Sequence, residues 1–552
     1  MTSQRRFSSV CLTVGAMLTM GAPVAAVAQS PAESVDSIFA FATNSTPGCA
    51  VSAIRNGAVE YAKGYGMADL EHDVPITPQT PFYLASVSKQ FTAAAVNLLV
   101  LDGKVSLDDD VRKSIPEVPD YGTPITLRHL MHHTSGLRDY LTLFGLAGLS
   151  DFTITNTDFL EMVGRQRALS FRPGEQYSYS NTGYVLLSIV VERVSGKSLR
   201  AFAQERLFAP LGMTSTQFRD HHNMLIKGRA LAYAPSGMEG YTLSLPHFDV
   251  VGDGGLYSTV EDLARWESNF LEPRVGGAKW LKLEGQRGRL NSGTSIPYGA
   301  GLSHGTYRGE PTVEHGGALG GYNIGLLRFP ARRFSVAVLC NGNIVPSGLL
   351  ARRVADVYLR DVLEPVEAAT VPTATSAVSV ETLAPYKGSF FDDRRMLMRD
   401  VVVEDGRLYF SRGPNNRSEL VAIGGTRFRM AGTPTVAVFS AQADTLRLET
   451  PEMTAFVFRR VRAVDPRDLR SYAGSYESSE LKVTWVVAAG DSSLTVRPAR
   501  ETPIRLDPAF EDAFRSPSIF ARFIRDEKGK IVAVDVSAGE GARNVRFERQ
   551  RR

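Results

Sequence analysis

Cysteine and tryptophan are scarce in this chain, with three of each among 552 residues. So few cysteines exclude a small secreted scaffold framed by disulfides. An excess of charge of one sign is also missing: 62 Lys+Arg face 58 Asp+Glu, a formal net charge of +4. No basic cluster interleaved with aromatics occurs, which argues against a nucleic-acid partner. There is no H-E-x-x-H string, and the pairs His132-His133 and His221-His222 read as structural or surface residues, because neighbours on a helix point in different directions. No metal and no organic cofactor is expected. Beyond the N-terminus no apolar run approaches the length of a bilayer span, so no integral membrane segment is expected after that point.

The N-terminus itself reads as a secretory signal. Arg5 and Arg6 precede an apolar stretch from about Val10 to Val27, and Ala26-Val27-Ala28 is a small-x-small cleavage site. A twin-arginine signal is a poor match, since Phe7 follows the pair directly. Residues 1–28 are therefore expected to be removed, leaving a periplasmic or secreted protein. Cys11 leaves with them. Cys49 and Cys340 remain in strand-like segments; two buried thiols are the favoured reading, and a disulfide in an oxidising compartment is the alternative.

At this length the chain should divide into two to four domains. Its 43% hydrophobic and 22% charged residues are ordinary for a folded protein. Cys49 to Arg55 and Ala58 to Tyr65 predict a hairpin around Asn56-Gly57, the pair favoured in type I′ turns. Tyr322 to Phe329 and Phe334 to Cys340 predict a second hairpin. Helices are expected from Ser86 to about Leu101, with Phe91, Ala94, Ala95 and Leu98 on one face, and over Thr182–Val194, Ser198–Leu207 and Ser258–Phe270. The last opens on a capping box, Ser258-x-x-Glu261. Strands at both ends and helices between them predict an antiparallel sheet with a helical lobe, an α/β (α+β) catalytic domain over residues 29–363.

Residues 364–380 have a linker composition of Ala, Thr, Val, Pro and Ser. Beyond them the chain becomes strand-rich and echoes itself. Leu383-Ala-Pro-Tyr386-Lys-Gly388-Ser389-Phe390 recurs as Leu469-Arg-Ser-Tyr472-Ala-Gly474-Ser475-Tyr476. That spacing is too long for a solenoid and predicts two small all-β barrel-like modules, over 381–463 and 464–552.

Three strings carry chemistry. Ser86-Val-Ser-Lys89 places a hydroxyl and an amine one helical turn apart. Lys89 can take the Ser86 proton only if burial or neighbouring charge lowers its pKa from about 10.4. The same spelling at Ser479 and Lys482 cautions that the string alone is weak. Tyr179-Ser-Asn181 supplies a phenol that an adjacent Lys⁺ would make more acidic, and an amide that both donates and accepts. His315-Gly-Gly317-Ala318 continues into Leu319-Gly-Gly321, where so many glycines suit close approach of a ligand to backbone. Gly301-Leu-Ser303-His-Gly305 spells a nucleophile elbow, but its flanks lack the helix that the elbow requires.

These strings, with Phe82-Tyr-Leu-Ala before Ser86, His133-Thr-Ser-Gly-Leu137, Phe171-Arg-Pro-Gly-Glu-Gln before Tyr177, and Gly254-Gly-Leu-Tyr-Ser258, resemble the class C β-lactamase-like serine hydrolases. The likeness spans roughly residues 35 to 360, and two trailing barrel modules look most like the D-aminopeptidase arrangement. The resemblance implies Ser86 as the acylated nucleophile and Lys89 and Tyr179 as the proton-transfer pair. It implies Asn181 as a holder of substrate and of Lys89, and the backbone N–H groups of Ser86 and Ala318 as the oxyanion hole beside Gly317. His315 would stand where the family usually has the lysine of K-T-G, which should weaken recognition of a carboxylate. An amide, D-amino-acid-containing peptide or ester substrate is therefore expected ahead of a β-lactam or a D-alanyl-D-alanine terminus. An inactive binding or scaffold protein is the reading of another class.

Overall fold

The computed structural model describes residues 29–237, 240–365, 380–413, 416–450, 455–462, 468–498 and 502–551. The expected signal segment and its cleavage site, and nearly all of the expected linker, lie outside the described residues.

The two predicted hairpins form as expected and meet. Strands β1 (Cys49–Arg55) and β2 (Ala58–Tyr65) pair around Asn56 and Gly57, whose φ of 52° and 79° are those of a type I′ turn. Strands β3 (Tyr298–Gly299), β4 (Leu302–Tyr307), β5 (Glu310–Leu319), β6 (Tyr322–Phe329) and β7 (Phe334–Cys340) follow in a meander. The sheet order is β3-β4-β5-β6-β7-β1-β2, antiparallel throughout. The two ends of the domain thus close one sheet, and Cys49 stands directly opposite Cys340.

Those cysteines form a disulfide, against the expectation of two free thiols. The register between β1 and β7 decides the matter. It joins residues 291 positions apart, which no local reading could supply. Both faces of the sheet are covered. Helices Pro31–Ile38 and Ser347–Tyr358 bury Val35, Phe39, Leu350 and Val354 against Val51, Val336 and Val338 on one face. The other face meets the helical lobe, which is why β7 is buried at every position rather than at alternate ones.

The helix Lys89–Leu101 runs through the middle of that lobe and is buried from Lys89 to Leu99, not on one face only. A helix buried on every side lies inside a core, and its polar side chains, Lys89, Gln90, Thr92 and Asn97, all find hydrogen-bond partners there. Phe91 lies 4.3 Å from the Trp266 ring, and the Trp266 indole N–H donates to Gln90 Oε1 at 2.7 Å. The first turn differs from expectation: Ala85–Ser88 is a 3₁₀ turn, and the α-helix begins at Lys89. The helix Val260–Leu271 is capped by Thr259, whose hydroxyl accepts from Asp262 N, and not by Ser258. Ser258 is held in a short buried strand paired with Phe82, where its hydroxyl bonds Thr216. The Ser198–Leu207 helix starts at Leu199 and widens into a π turn over Gln204–Phe208.

Downstream stand two closed eight-stranded barrels, spanning Gly388–Val461 and Gly474–Arg549, as the strand-rich pattern predicted. The sequence echo marks the entrance of each. Its tyrosines, Tyr386 and Tyr472, sit in 3₁₀ turns and pack on Phe428 and Phe439 and on Phe514 and Phe523. The second S-x-x-K string lies at a turn of the second barrel, with Ser479 exposed. Its neighbour Glu480 is buried and anchors that barrel to the lobe by accepting from Arg138 Nη1 at 2.8 Å. Arg138 also donates to the carbonyls of Arg543 (3.0 Å) and Asn544 (2.9 Å), and Trp485 Nε1 donates to Leu146 O at 3.0 Å.

One buried carboxyl has no basic partner. Glu284 Oε2 accepts from Asn97 Nδ2 at 2.8 Å, while Glu284 Oε1 and Asn97 Oδ1 are both buried without a partner. A proton on Oε1 would let each group serve the other, and burial pushes the Glu284 carboxyl well above its ordinary range. A raised carboxyl pKa gives stability that is full at acid pH and fades as pH rises towards the folded-state value. Glu284→Gln keeps both hydrogen bonds without a titrating proton. Its melting temperature should match wild type near pH 5 and exceed it increasingly above pH 7; a gap that does not widen with pH would refute the protonated pair.

Candidate active site

Ser86 sits on a turn that several constraints hold in place. Leu84 N donates to Leu256 O at 2.8 Å and Val87 N to Leu84 O at 3.1 Å. Ala85, just before the serine, has φ +46°, a left-handed conformation that costs a non-glycine residue roughly 1–2 kcal/mol. Ser86 is half-buried while Ala85, Val87, Ser88 and Lys89 are buried. The turn therefore presents one hydroxyl to a cleft and seals the rest.

Lys89 turns back beneath it. Its Nζ lies 3.1 Å from Ser86 Oγ, 2.9 Å from Asn181 Oδ1 and 2.8 Å from Asp253 O. Two of these partners are carbonyl oxygens, which only accept; the hydroxyl alone can also donate. Loss of one proton from Lys89 therefore leaves both carbonyls satisfied and aims the nitrogen lone pair at Ser86. Burial lowers the Lys89 pKa to about 8, while the Asp253 and Asp139 carboxyls pull it back up. The condition that the sequence set for Lys89 is met.

Tyr179 lies in the extended segment that enters the helix Asn181–Ser195. Its ring is 4.9 Å from Lys89 Nζ, and the Ser86 hydroxyl is near enough to pull its phenol pKa down slightly. Lys89 does not make this phenol acidic: burial dominates and pushes it up, leaving a neutral hydroxyl that can relay a proton but not a standing phenolate. Asn181 is fixed at both ends, its side chain on Lys89 and its N–H on Asp139 Oδ2 at 2.6 Å.

The glycine-rich strand β5 forms the opposite wall. A Cβ on Gly317 would lie 2.3 Å from Leu84 O and 3.1 Å from Ser86 N, so only glycine lets β5 approach the serine turn. Leu319 and Tyr322 close a two-residue turn, so the next pair, Ala318 and Asn323, is of the non-hydrogen-bonded kind. Ala318 N–H then points away from β6. On that outer edge β4 pairs only as far as Glu314, leaving the edge open beside Ser86. The Ala318 N–H is thus left outside the β5–β6 ladder, on the strand that Gly317 brings against the Ser86 turn.

His315 is buried. Its Nδ1 lies 2.6 Å from Gly316 O, which fixes the proton there, and its Nε2 accepts from Tyr298 OH at 3.0 Å. Burial and then Lys89 lower its pKa to about 4. At neutral pH His315 is therefore uncharged, and β5 brings no Lys or Arg to this wall.

Sequence reasoning overlooked three residues here. His133, read as structural or surface, is buried 4.2 Å from the Tyr179 ring and accepts from Ser180 N through Nδ1 at 3.2 Å. Asp139 holds Asn181, and its own N–H donates at 2.6 Å to Gly541 O, in the second barrel. Asp253 gives Lys89 its backbone carbonyl, while its carboxylate accepts from Tyr140 OH at 3.0 Å. The one available signal was the His133-to-Leu137 string; Asp139 and Asp253 act through backbone and long-range contacts.

Ser303 lies on β4 with no helix after it, so the elbow-like string is a strand. Elsewhere, His221, His222 and Asp249 bring ligand atoms within 4.8 Å of one another. His221 and His222 do not diverge as helix neighbours would: their rings stack 5.0 Å apart, and His222 Nδ1 lies 2.9 Å from Asp249 Oδ1. Asp69, Glu71 and His72 form a similar group, and neither group includes a residue around Ser86.

Among known proteins, the chain is 29% identical over 340 residues to a D-aminopeptidase of Gluconobacter oxydans, covering 61% of this chain and 63% of that one. It is 31% identical over 308 residues to penicillin-binding protein 4* of Bacillus subtilis, covering 53% and 67%. The chain thus spans just under two thirds of the length of that D-aminopeptidase. Its fold is similar to that of the octameric penicillin-binding protein homologue of Pyrococcus abyssi, with a TM-score of 0.54, 24% identity, and 78% and 98% of the two chains covered. It is also similar to D-amino acid amidase of Ochrobactrum anthropi, with a TM-score of 0.51, 23% identity, and 60% and 99% covered. The beta-lactamase family model matches residues 27–359, more than half of the molecule and the whole region that builds the Ser86 site, and the chain belongs to that family.

Proposed function

We propose that this protein is an exported serine hydrolase that forms an acyl-enzyme on Ser86 and releases it to water. In this reading Lys89 removes the Ser86 proton, Tyr179 relays it to the leaving group, and Asn181 holds both Lys89 and substrate. The N–H groups of Ser86 and Ala318 receive the developing oxyanion, an interaction whose loss typically costs about 100- to 1,000-fold in rate. The observation that carries the proposal is Lys89: a buried amine with a pKa of about 8, 3.1 Å from a hydroxyl, and otherwise bonded only to carbonyl oxygens. The Cys49–Cys340 disulfide fits an oxidising compartment, as export would require.

For substrate we favour an amide or peptide with a D-residue, with small esters as the neighbouring possibility. The relatives named D-aminopeptidase and penicillin-binding protein support this class. Neutral His315 argues against a free carboxylate or a penicillin as the preferred partner, because it offers no fixed positive charge opposite Lys89.

Mass spectrometry after treatment with a fluorophosphonate should place the adduct on Ser86. Ser86→Ala should lower turnover by at least ~10³-fold. An adduct on Ser303, or none, would sink the mechanism. Turnover of D-alanine anilide should exceed that of nitrocefin, and fast nitrocefin hydrolysis would reverse the substrate preference.

In the free enzyme kcat/KM should rise with pH through about 8, as Lys89 loses its proton. Asp253→Asn removes a charge that favours the ammonium form, so it should move this limb to lower pH. A limb that stays fixed would separate Lys89 from the base role.

His315 should titrate near 4 by NMR. A histidine pKa depressed on folding contributes stability that is present above about pH 6.5 and lost as pH falls. A His315 resonance titrating near 6.5 would restore the possibility of a cation at this wall.

A further inference from the structure

The string His133-Thr-Ser-Gly-Leu137 has no part in the mechanism above, yet it runs along the segment that carries Tyr179. Ser170 N donates to Gly136 O and Gly174 N to Thr134 O, each at 2.8 Å, and Ser178 N donates to His133 O at 2.9 Å. A Cβ on Gly136 would lie 1.9 Å from Phe171 O, so only glycine lets the two segments close. Residues 133–136 are thus a backbone template for residues 170–180.

His133 ends that template. Its φ of +56° is left-handed, a sharp turn of the chain. In an extended segment alternate N–H groups leave on one edge, so Ser178 and Ser180 both face this turn. Ser178 N–H takes the His133 carbonyl, and Ser180 N–H takes the ring Nδ1 at 3.2 Å. One residue thereby brackets Tyr179 from both sides, with its imidazole 4.2 Å from the Tyr179 ring.

An accepting Nδ1 fixes the tautomer, with the proton on Nε2. That nitrogen is buried without a hydrogen-bond partner among the described residues, and the rings of Tyr298 and Tyr184 lie 4.6 and 5.2 Å from the imidazole. An apolar side chain would fill this aromatic space without stranding a donor. What only the imidazole supplies is the acceptor for Ser180. Burial and then the Lys89 charge push the His133 pKa well below its ordinary value, which keeps Nδ1 free to accept.

On the reading that Tyr179 relays the proton, we propose that His133 is its positioning residue: the carbonyl and the neutral ring hold Ser178 and Ser180, and so fix the Tyr179 hydroxyl between Ser86 and the leaving group. Without the ring, the buried Ser180 N–H loses its acceptor, and the segment must shift to find another.

A relay matters only when the leaving group needs a proton. An anilide does; the fluoride of a fluorophosphonate leaves without one. His133→Gly keeps the left-handed turn and the carbonyl but removes the ring acceptor. It should lower kcat for D-alanine anilide at least about 30-fold with KM within about threefold, while the rate of Ser86 labelling by the fluorophosphonate stays within about threefold of wild type. His133→Asn, whose Oδ1 can replace Nδ1 and which tolerates the left-handed turn, should restore most of the loss. In a Tyr179→Phe background His133→Gly should add less than about threefold. Nitrogen-15 NMR of the wild type at pH 7 should show the His133 proton on Nε2, a measurement that decides even where the variants fail to fold. A proton on Nδ1, an unchanged anilide kcat, equal losses for anilide and fluorophosphonate in a folded variant, no rescue by a folded His133→Asn, or losses that multiply with Tyr179→Phe would each overturn the proposal. A wild type left unlabelled at Ser86 would instead sink the hydrolase reading beneath it.

Discussion

Lys89 carries an amine into a site with no exposed surface of its own, and much of the architecture exists to satisfy it. A fully buried ammonium needs acceptors at fixed positions. Here they come from three separate parts of the chain: the turn at Ser86, the helix that begins at Asn181, and the loop at Asp253. None of the three is free to move. The serine turn is pinned by Leu256 and pressed by Gly317, Asn181 is pinned by Asp139, and the Asp253 side chain is held by Tyr140. The lowered Lys89 pKa is a property of this whole arrangement rather than of a neighbouring residue.

The same arrangement explains why the domain needs both its ends. Strands β1 and β2 complete a sheet in which β5, two strands in from the opposite edge, carries the glycine-rich wall, and the Cys49–Cys340 bond fixes the seam. The site lies between that sheet and the helical lobe. A shift of either body would open the gap that Gly317 closes to within van der Waals range of Leu84 and Ser86.

Much of this was legible in the sequence, and the reasons for the rest are physical. Both long hairpins could be read because strand periodicity and turn chemistry are local; Asn56-Gly57 specifies its turn outright. The paired barrels could be read from the repeated Leu-x-x-Tyr-x-Gly segments, each of which becomes a 3₁₀ turn at a barrel entrance. The false cap at Ser258 shows the limit of such signals: a perfect local spelling lost to a strand pairing with Phe82. The disulfide and the second carboxylate beside Lys89 depend on residues more than a hundred positions apart. The direction of the Tyr179 shift was misjudged because proximity to a cation is visible in a motif, whereas loss of water is not.

The short bond from Asp139 N–H to Gly541 O has a consequence for the life of the molecule. Asp139 positions Asn181, and Asn181 positions Lys89, so the support of the reactive amine runs from the helical lobe into the second barrel, from Asp139 to Gly541. Synthesis delivers Gly541 long after the lobe and the sheet. Until then Asp139 lacks one of its tethers, however well those parts have formed. A chain cut before the hairpin that carries Gly541 keeps its nucleophile but loses this brace behind it.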